Sequence, residues 1–582
     1  MADSAMAPVP QTSVLGQMVQ DTRRLWASLP YKWAFGIAFL IWTALFHWFG
    51  NPPLGWIHDK SLFVWAQWYF NLAKEKENDD QLCTYIPFLV LFLFVYQGQR
   101  LAAVPKKTWL PALVFLLVAV GMHWIGYSLQ QTRISMLAYL LGVYALMSAY
   151  WGYQWAKAAL FPYWLIGFWI PLSAVFDPLT FRLRLVSCTV ATAISRGVFN
   201  IPLQRMGTRV MHPGVNGSGP FEFDVAAACS GIRSATVVLI LTTIYSFLGL
   251  RSWWRRAIVI AVSPLIAVTG NILRLVFTFV ISDALGSAAG KAVENKAGFV
   301  TFAFAFAVVS LLTRWLARGE RNKSQPVSTE DAPVAAQHSW ANSAVYTSLI
   351  ATAVLSGVGA YGIGYLRTSV KLGKPAVEVI HAPILDEKGG VAATNSIRLP
   401  DHLPGYTAFE MPFQFRELLV LPPDTTYGRR RYESENGTFT ALSSVVLMGN
   451  DRTSLHKPMD CLTSIGWNVR RTSRDTVPLK DGSSMVIGRM DMIWDVPGRP
   501  KEKSSGLYMY WFVAEGSRVP DYVRREWYML KDVILTGEIK RWAYISFFAD
   551  CRPGEEDALH DKMKSLIQLA QPEIEVGSLR NM

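Results

Sequence analysis

Long apolar runs separated by short polar stretches fill the first part of this chain. Nine of them approach the roughly 20 residues that a helix needs to cross a bilayer. They fall near residues 34–50, 84–98, 109–126, 134–152, 159–176, 234–250, 257–281, 299–317 and 343–366, the second being the shortest. The polar stretches carry basic clusters: Arg23, Arg24 and Lys32 before the first run, Arg100, Lys106 and Lys107 between the second and third, Arg251, Arg255 and Arg256 between the sixth and seventh, and Arg314, Arg318, Arg321 and Lys323 after the eighth. Strict alternation through nine spans puts all four clusters on one side, and Lys and Arg near span ends mark the cytoplasm. The N-terminus is then cytoplasmic, whereas 51–83, 177–233, 282–298 and everything after 366 face outward. No small-residue cleavage site follows the first run, so it reads as a retained span.

These periodicities predict an α-helical polytopic membrane bundle of about eight spans, a ninth anchoring span, and a C-terminal α+β extracytoplasmic domain. The expected organisation is a cytoplasmic segment 1–32, a transmembrane domain 33–318, a polar linker 319–342 rich in Asn, Pro and charge, the anchor 343–366, and the outer domain 367–582. In that domain Leu507, Met509, Trp511 and Val513 alternate as in a half-buried strand. Trp542–Phe548 is a second predicted strand, and Arg524–Leu535 and Glu556–Gln571 have helical spacing.

Composition agrees. The 582 residues are 51% hydrophobic and 17% charged, with 22 Trp and a mean hydropathy of +0.22; a soluble chain would carry about 25% charge. The net charge of +13 is accounted for by the basic loops, so no nucleic-acid partner is expected. Five cysteines, at 83, 188, 229, 461 and 551, are too few and too scattered for a disulfide scaffold or a Cys-rich metal site.

Polar groups at membrane depth are the informative exceptions, and three outward places hold them. Ala226-Ala227-Ala228-Cys229-Ser230-Gly231-Ile232-Arg233-Ser234 precedes the sixth span. Small neighbours leave the thiol open, Ser230 and Gly231 suit a helix start, and a helix N-terminus favours thiolate. Arg233 returns to the same helix face one turn on. The alternative is a small-residue packing patch with Cys229 as an inert filler. Gly270-Asn271-Ile272-Leu273-Arg274 lies inside the seventh span, with Arg274 roughly 26 Å from the cytoplasmic end. Its guanidinium suits an oxyanion formed by thiolate attack on a carbonyl; the alternative is a snorkelling arginine, or one paired with Asp283 or Asp224. The third place is Lys291-Ala292-Val293-Glu294-Asn295-Lys296-Ala297-Gly298-Phe299. A thiol site usually wants a His base, and this loop has none. His212, His47, His58 and His123 are on the outer side, where a lone His is more often structural.

The Ala-Ala-Cys-Ser-Gly-Ile-Arg-Ser element at 227–234, the Asn-Ile-Leu-Arg element at 271–274 and the polar loop ending Gly298-Phe299 resemble the exosortase/archaeosortase family in content, order and spacing, over approximately residues 30–318. Members of that family look like multispanning cysteine transpeptidases that recognise a C-terminal sorting signal of PEP-CTERM type on exported proteins. The resemblance implies a nucleophilic Cys229 and an essential Arg274. It also implies a His four positions before the loop Gly, where this chain has Glu294, with Asn295 beside it. Either Asn295 orients the substrate, or Glu294 is the base, or the member is divergent.

His456-Lys457-Pro458-Met459-Asp460-Cys461-Leu462, followed by Gly466-Trp467, resembles the exosortase-associated domain of exopolysaccharide gene clusters, over approximately 343–582. That implies a partnership with polysaccharide export. Cys461 is expected to be structural, buried or bridged to Cys551 in an oxidising compartment, with pairing to His456 as the alternative. The combined expectation is a cysteine peptidase or transpeptidase of the cell inner membrane. It needs no metal or organic cofactor, and its partners are exported proteins with a hydrophobic C-terminal signal, membrane lipids and exopolysaccharide machinery. The rival expectations are a non-catalytic subunit of an exopolysaccharide assembly and a transporter.

Overall fold

The computed structural model describes residues 14–52, 59–75, 79–206, 209–214, 220–224, 231–296, 298–318, 342–369, 371–385, 389–412, 421–464, 467–495, 503–577 and 580–581. The expected linker 319–342 lies almost wholly outside the described residues. The helices are α1 Val14–Ser28, α2 Lys32–Phe49, α3 Leu62–Glu75, α4 Ile86–Tyr96, α5 Gly98–Ala103, α6 Leu113–Ser128, α7 Thr132–Trp151, α8 Tyr153–Trp164, α9 Ser173–Phe199, α10 Gly231–Gly249, α11 Trp253–Leu285, α12 Ser287–Lys296, α13 Gly298–Ala317 and α14 Ser343–Ser369. Three strands, β1 Gln204–Met206, β2 Arg209–His212 and β3 Phe221–Asp224, interrupt them. Among the described residues five helices are long and apolar enough to cross a membrane: α2, Leu110–Ser128 with α6, α7, α11 and α14. Shorter apolar helices lie in α4, α9, α10 and α13. A multi-pass membrane protein follows.

Several expectations need correction. The predicted fifth span at 159–176 is not one helix. After α8 comes a 3-10 turn at Leu165–Trp169, and Ile170 is extended (ψ 124°) because Pro171 disfavours a helical residue before it. The outward loop at 177–233 is instead largely α9 and the β1–β3 sheet. Asp177, Arg182, Arg184 and Arg196 hid α9 from a hydropathy reading, since no 20-residue window of it is apolar. In the same way 51–83 contains α3, and the polar N-terminal segment contains the amphipathic α1. The seventh span is longer than expected: α11 has 33 residues, about 50 Å at 1.5 Å per residue, so it outreaches a roughly 30 Å hydrocarbon layer.

The chain divides into two compact units. The first comprises 1–43, 66–119 and 136–355. In it Trp42, fully buried, donates to the Tyr139 carbonyl at 3.1 Å, and Gly142 admits the indole, because a Cβ there would come within 2.2 Å of the ring. At one end Gln99 bonds Asp21 (2.9 Å), the Trp151 indole donates to Pro30 O (3.2 Å) and Asn342 donates to Tyr31 (3.1 Å). Arg255 likewise ties the start of α11 to the end of α13 through Leu316 O (2.7 Å). These bonds tie α5 to α1, the end of α7 and the start of α14 to the α1–α2 turn, and α11 to α13.

The second unit comprises 44–65, 120–135 and 356–582, so it takes in the ends of α2, α6, α7 and α14. There the Trp124 indole donates to Gly359 O (3.2 Å), and Arg367 near the end of α14 donates to Tyr127 Oη (2.7 Å) and Trp48 O (3.1 Å). Beyond α14 follow β4 Lys371–Leu372, β5 Val379–Ile380, β6 Ile384–Leu385, β7 Val391–Ala393, β8 Ser396–Ile397, β9 His402–Leu403, β10 Tyr406–Glu410, β11 Thr426–Ser434, β12 Thr440–Leu447, helix α15 Pro458–Ser464, β13 Asn468–Pro478, β14 Ser484–Asp495, β15 Lys503–Ala514, β16 Ser517–Val519, α16 Tyr522–Thr536, β17 Glu538–Ile539, β18 Ala543–Cys551, α17 Glu556–Ile574 and β19 Arg580–Asn581. The main sheet runs β13-β14-β15-β18-β12-β11-β10-β9, antiparallel throughout. Leu507, Met509, Trp511 and Val513 face α17, with Ile545 and Phe547 of β18 beside them. Tyr510 and Phe512 face the other way, into a core with Leu462 of α15 and Met529 of α16. The half-buried strand expected here is thus buried on both faces, since helices cover both.

Candidate functional site

The sheet before α10 is built from short-range pattern. Phe221-Glu222-Phe223-Asp224 alternates, and β3 pairs antiparallel with β2 so that Val210 faces Phe223 and His212 faces Phe221. Phe221, Phe223 and Val210 turn inward onto Cys188 and Ala191 of α9 and Leu275 and Phe279 of α11. The alternation is legible in the sequence. This packing fixes β3 against α11. The expected nucleophile Cys229 and its neighbour Ser230 lie in 225–230, outside the described residues. Arg233 belongs to the first turn of α10.

α10 and α11 form an antiparallel hairpin joined at Leu250–Ser252. α10 packs along α11 and α13 through Val238, Val259, Ile266, Ala267, Ala305 and Val309. Asn271 continues the same α11 stripe one turn above Ala267. Counted from the hairpin turn, Gly231 and Asn271 stand at about the same height, roughly 27 Å up, and Arg274 about 4.5 Å higher.

Asn271 is 1% exposed, and among the described residues neither atom of its amide has a hydrogen-bond partner. Buried polar groups are nearly always paired, so an amide left open at this height is the feature of the first unit most in need of an explanation. Arg274 is half-buried on the same helix. Asp283, named in the sequence as a possible partner of Arg274, lies against His212. The fully buried His212 ring stacks on Phe221 (centroids 4.9 Å apart), accepts from Gly214 N through Nδ1 (3.1 Å), and sets Nε2 3.3 Å from Asp283 Oδ1. That contact has ion-pair distance without hydrogen-bond alignment. His212 thereby holds the sheet to α11. The Asp283 register, nine residues and half a helical turn away from Arg274, was readable from the sequence; its partner was not.

Gly286 (φ 89°) ends α11 in a conformation that suits glycine, and α12 turns back along α11. Gly290 makes that return close: a Cβ there would lie 1.8 Å from Ser282 Oγ, 2.9 Å from Ser282 Cβ and 3.1 Å from Phe223 Cζ. Glu294 follows Gly290 by one turn of α12. Glu294 and Asn295 form the last turn of α12 before α13 starts at Gly298. Sequence reading missed the role of Gly290.

The other histidines are structural. His47 bonds Ser61 (3.1 Å), and His123, fully buried, bonds Ser135 (3.0 Å); His58 lies outside the described residues. In the outer domain Cys461 and Cys551 are not joined, which corrects the expected bridge. Cys551 packs with the α17-side core, whereas α15, which carries Cys461, packs on the opposite face of the sheet. Cys461 is exposed, not buried. Cys551 lines a pocket of about 180 Å³ with Arg470, Arg489, Asp491, Ser505 and Glu556. Burial, reinforced by Glu556, Glu555 and Asp550, pushes its thiol up to about 11, so it is a poor nucleophile near neutral pH.

Residues 65–311 match the family model described as transmembrane exosortase (Exosortase_EpsH). The match runs from α3 into α13 and encloses the β1–β3 sheet, the α10–α11 hairpin and α12. No curated protein and no solved structure matches the chain. Over these residues, which hold the sheet-braced hairpin and the buried Asn271, the chain is similar to the transmembrane exosortase family.

Proposed function

We propose that this protein is a membrane-embedded cysteine peptidase or transpeptidase that processes a C-terminal sorting signal of PEP-CTERM type on exported proteins, in a pathway linked to exopolysaccharide export, at the outer face of the cell inner membrane. Cys229 is the nucleophile and Arg274 the principal cationic group. Asn271 supplies a donor, Glu294 or Asn295 assists proton transfer or orientation, and Ser230 and Arg233 support the helix start. The observation that carries this reading is the open amide of Asn271, level with the first residue of α10. Cys229 is two peptide units from Gly231 and therefore within about 7 Å of it along any path.

The substrate is held by its hydrophobic C-terminal helix in the same bilayer, which replaces a three-dimensional search by a lateral one and sets the depth of the scissile bond. The thiolate attacks the carbonyl carbon, and the new C–S bond leaves an oxyanion that Arg274 and Asn271 stabilise. Collapse breaks the C–N bond, the leaving amine takes a proton, and a thioester remains. An amine acceptor then restores an amide, or water gives a carboxylate, and the thiol is regenerated.

Cys229→Ala tests the reading. Uncleaved precursor should accumulate at normal membrane abundance of the variant. Arg274→Lys should also impair processing, because a point charge lacks the planar fork. Unchanged processing and polymer output with Cys229→Ala would instead favour a non-catalytic subunit of a polysaccharide assembly.

A further inference from the structure

Helix α16 has an outward face that a water-facing helix would not carry. It starts at an Asp521 cap whose side chain accepts from Arg524 N, and ends at Gly537 in the left-handed region. Arg525, Met529 and Val533 are buried against the sheet. The opposite stripe, at four-residue spacing, is Val523, Trp527, Lys531 and Leu535. Val523 is 76% exposed, Trp527 64% and Leu535 69%, and Arg524 and Lys531 are exposed beside them. A surface helix normally shows polar residues outward. Valine, tryptophan and leucine flanked by cations suit a bilayer interface.

Both ends of α16 are held where spans end. Past its C-terminus, β17 pairs in parallel with β4, which begins two residues after α14 stops. Lys371 N donates to Gly537 O (3.3 Å) and Gly373 N to Ile539 O (2.9 Å). Near its N-terminus Glu526 pairs with Arg452. The Arg452 amide donates to Gln130 Oε1 (3.1 Å), and Gln130, in the turn between α6 and α7, donates to Asn450 O (2.5 Å). Arg367 joins the corresponding ends of α14, α6 and α2, where Trp48 and Tyr365 are exposed as in an interfacial aromatic belt. Each end of α16, about 22 Å long, is thus tied to span termini that belong to the same unit.

We propose that α16 is an interfacial helix: Val523, Trp527 and Leu535 enter the headgroup–acyl boundary of the bilayer that holds the spans, and Arg524 and Lys531 meet lipid phosphates. This inference stands apart from any role of Cys229.

The test is photocrosslinking of the full chain in vesicles of phosphatidylethanolamine and phosphatidylglycerol, with benzoylphenylalanine replacing Trp527, Leu535 or, as control, Asp561. Asp561 is 85% exposed on α17, which covers the opposite face of the sheet. Lipid adducts at 527 and 535, read by mass spectrometry, should exceed those at 561 by about tenfold. Two positions two turns apart guard against a local folding defect. Adducts to a second copy or to another protein without lipid adducts, or equal lipid labelling at all three positions, would overturn the proposal.

Discussion

Asn271→Leu separates stability from function at the candidate site. The asparagine is 1% exposed and neither amide atom is bonded, and a buried amide without partners costs about 1–3 kcal/mol. Leucine has nearly the same shape and no polar atoms, so it removes that cost without opening a cavity. The expected result is a gain of about 1–3 kcal/mol in unfolding free energy for the variant. Meanwhile processing should fall by about 10²–10³-fold, the usual loss when one oxyanion donor is removed. Denaturant titration of the purified full chain measures the first quantity, and the rate of precursor disappearance in cells the second. A residue kept only for packing gives no such pair of opposite signs. A variant that is both less stable and fully active would refute the reasoning, since the amide would then serve the fold and not the reaction.

Gly290→Ala should lower processing while the chain still inserts, because rotating the Ser282 hydroxyl away leaves its Cβ at 2.9 Å and Phe223 at 3.1 Å; an unchanged rate would disconnect α12 from the site. Iodoacetamide at about pH 8 should modify Cys461 quickly and Cys551 slowly, since half-buried Cys551 is raised to about 11, and peptides bearing them should show no mass shift on reduction. Asp475 is pushed up by burial but pulled further down by His560 and Lys564, to about 2 from 3.8. Its contribution is therefore complete above pH 3.8 and lost as pH falls toward about 2. Hydrogen exchange of β13 and α17 should accelerate over that window, and Asp475→Asn should flatten the dependence.

The presence of several membrane-crossing helices was legible because hydrocarbon solvation demands a long apolar run whatever the neighbours do. The strands at 507–513 and 542–548 and the helices at 524–535 and 556–571 were legible for a similar reason, since a period of 2 or 3.6 is a local property. α9 was not: its charges interrupt every 20-residue window, and a hydropathy reading looks no further. The break after α8 could have been read from Pro171. Cys229, Arg274 and Glu294 stood out as polar groups in apolar company, but their surroundings did not.

The sequence by itself determined that the chain crosses a membrane several times and where polar residues interrupt its apolar runs, because each of these follows from composition within one helix length. Only the tertiary structure decided the rest. Asp283 lies against His212, Gly290 lets α12 lie on α11, Asn271 is buried with its amide open among the described residues, Cys461 and Cys551 are on opposite faces of a sheet, and α16 is tied at both ends to span termini. Such pairings join residues distant along the chain, and their energies depend on who arrives opposite whom, which no local pattern encodes.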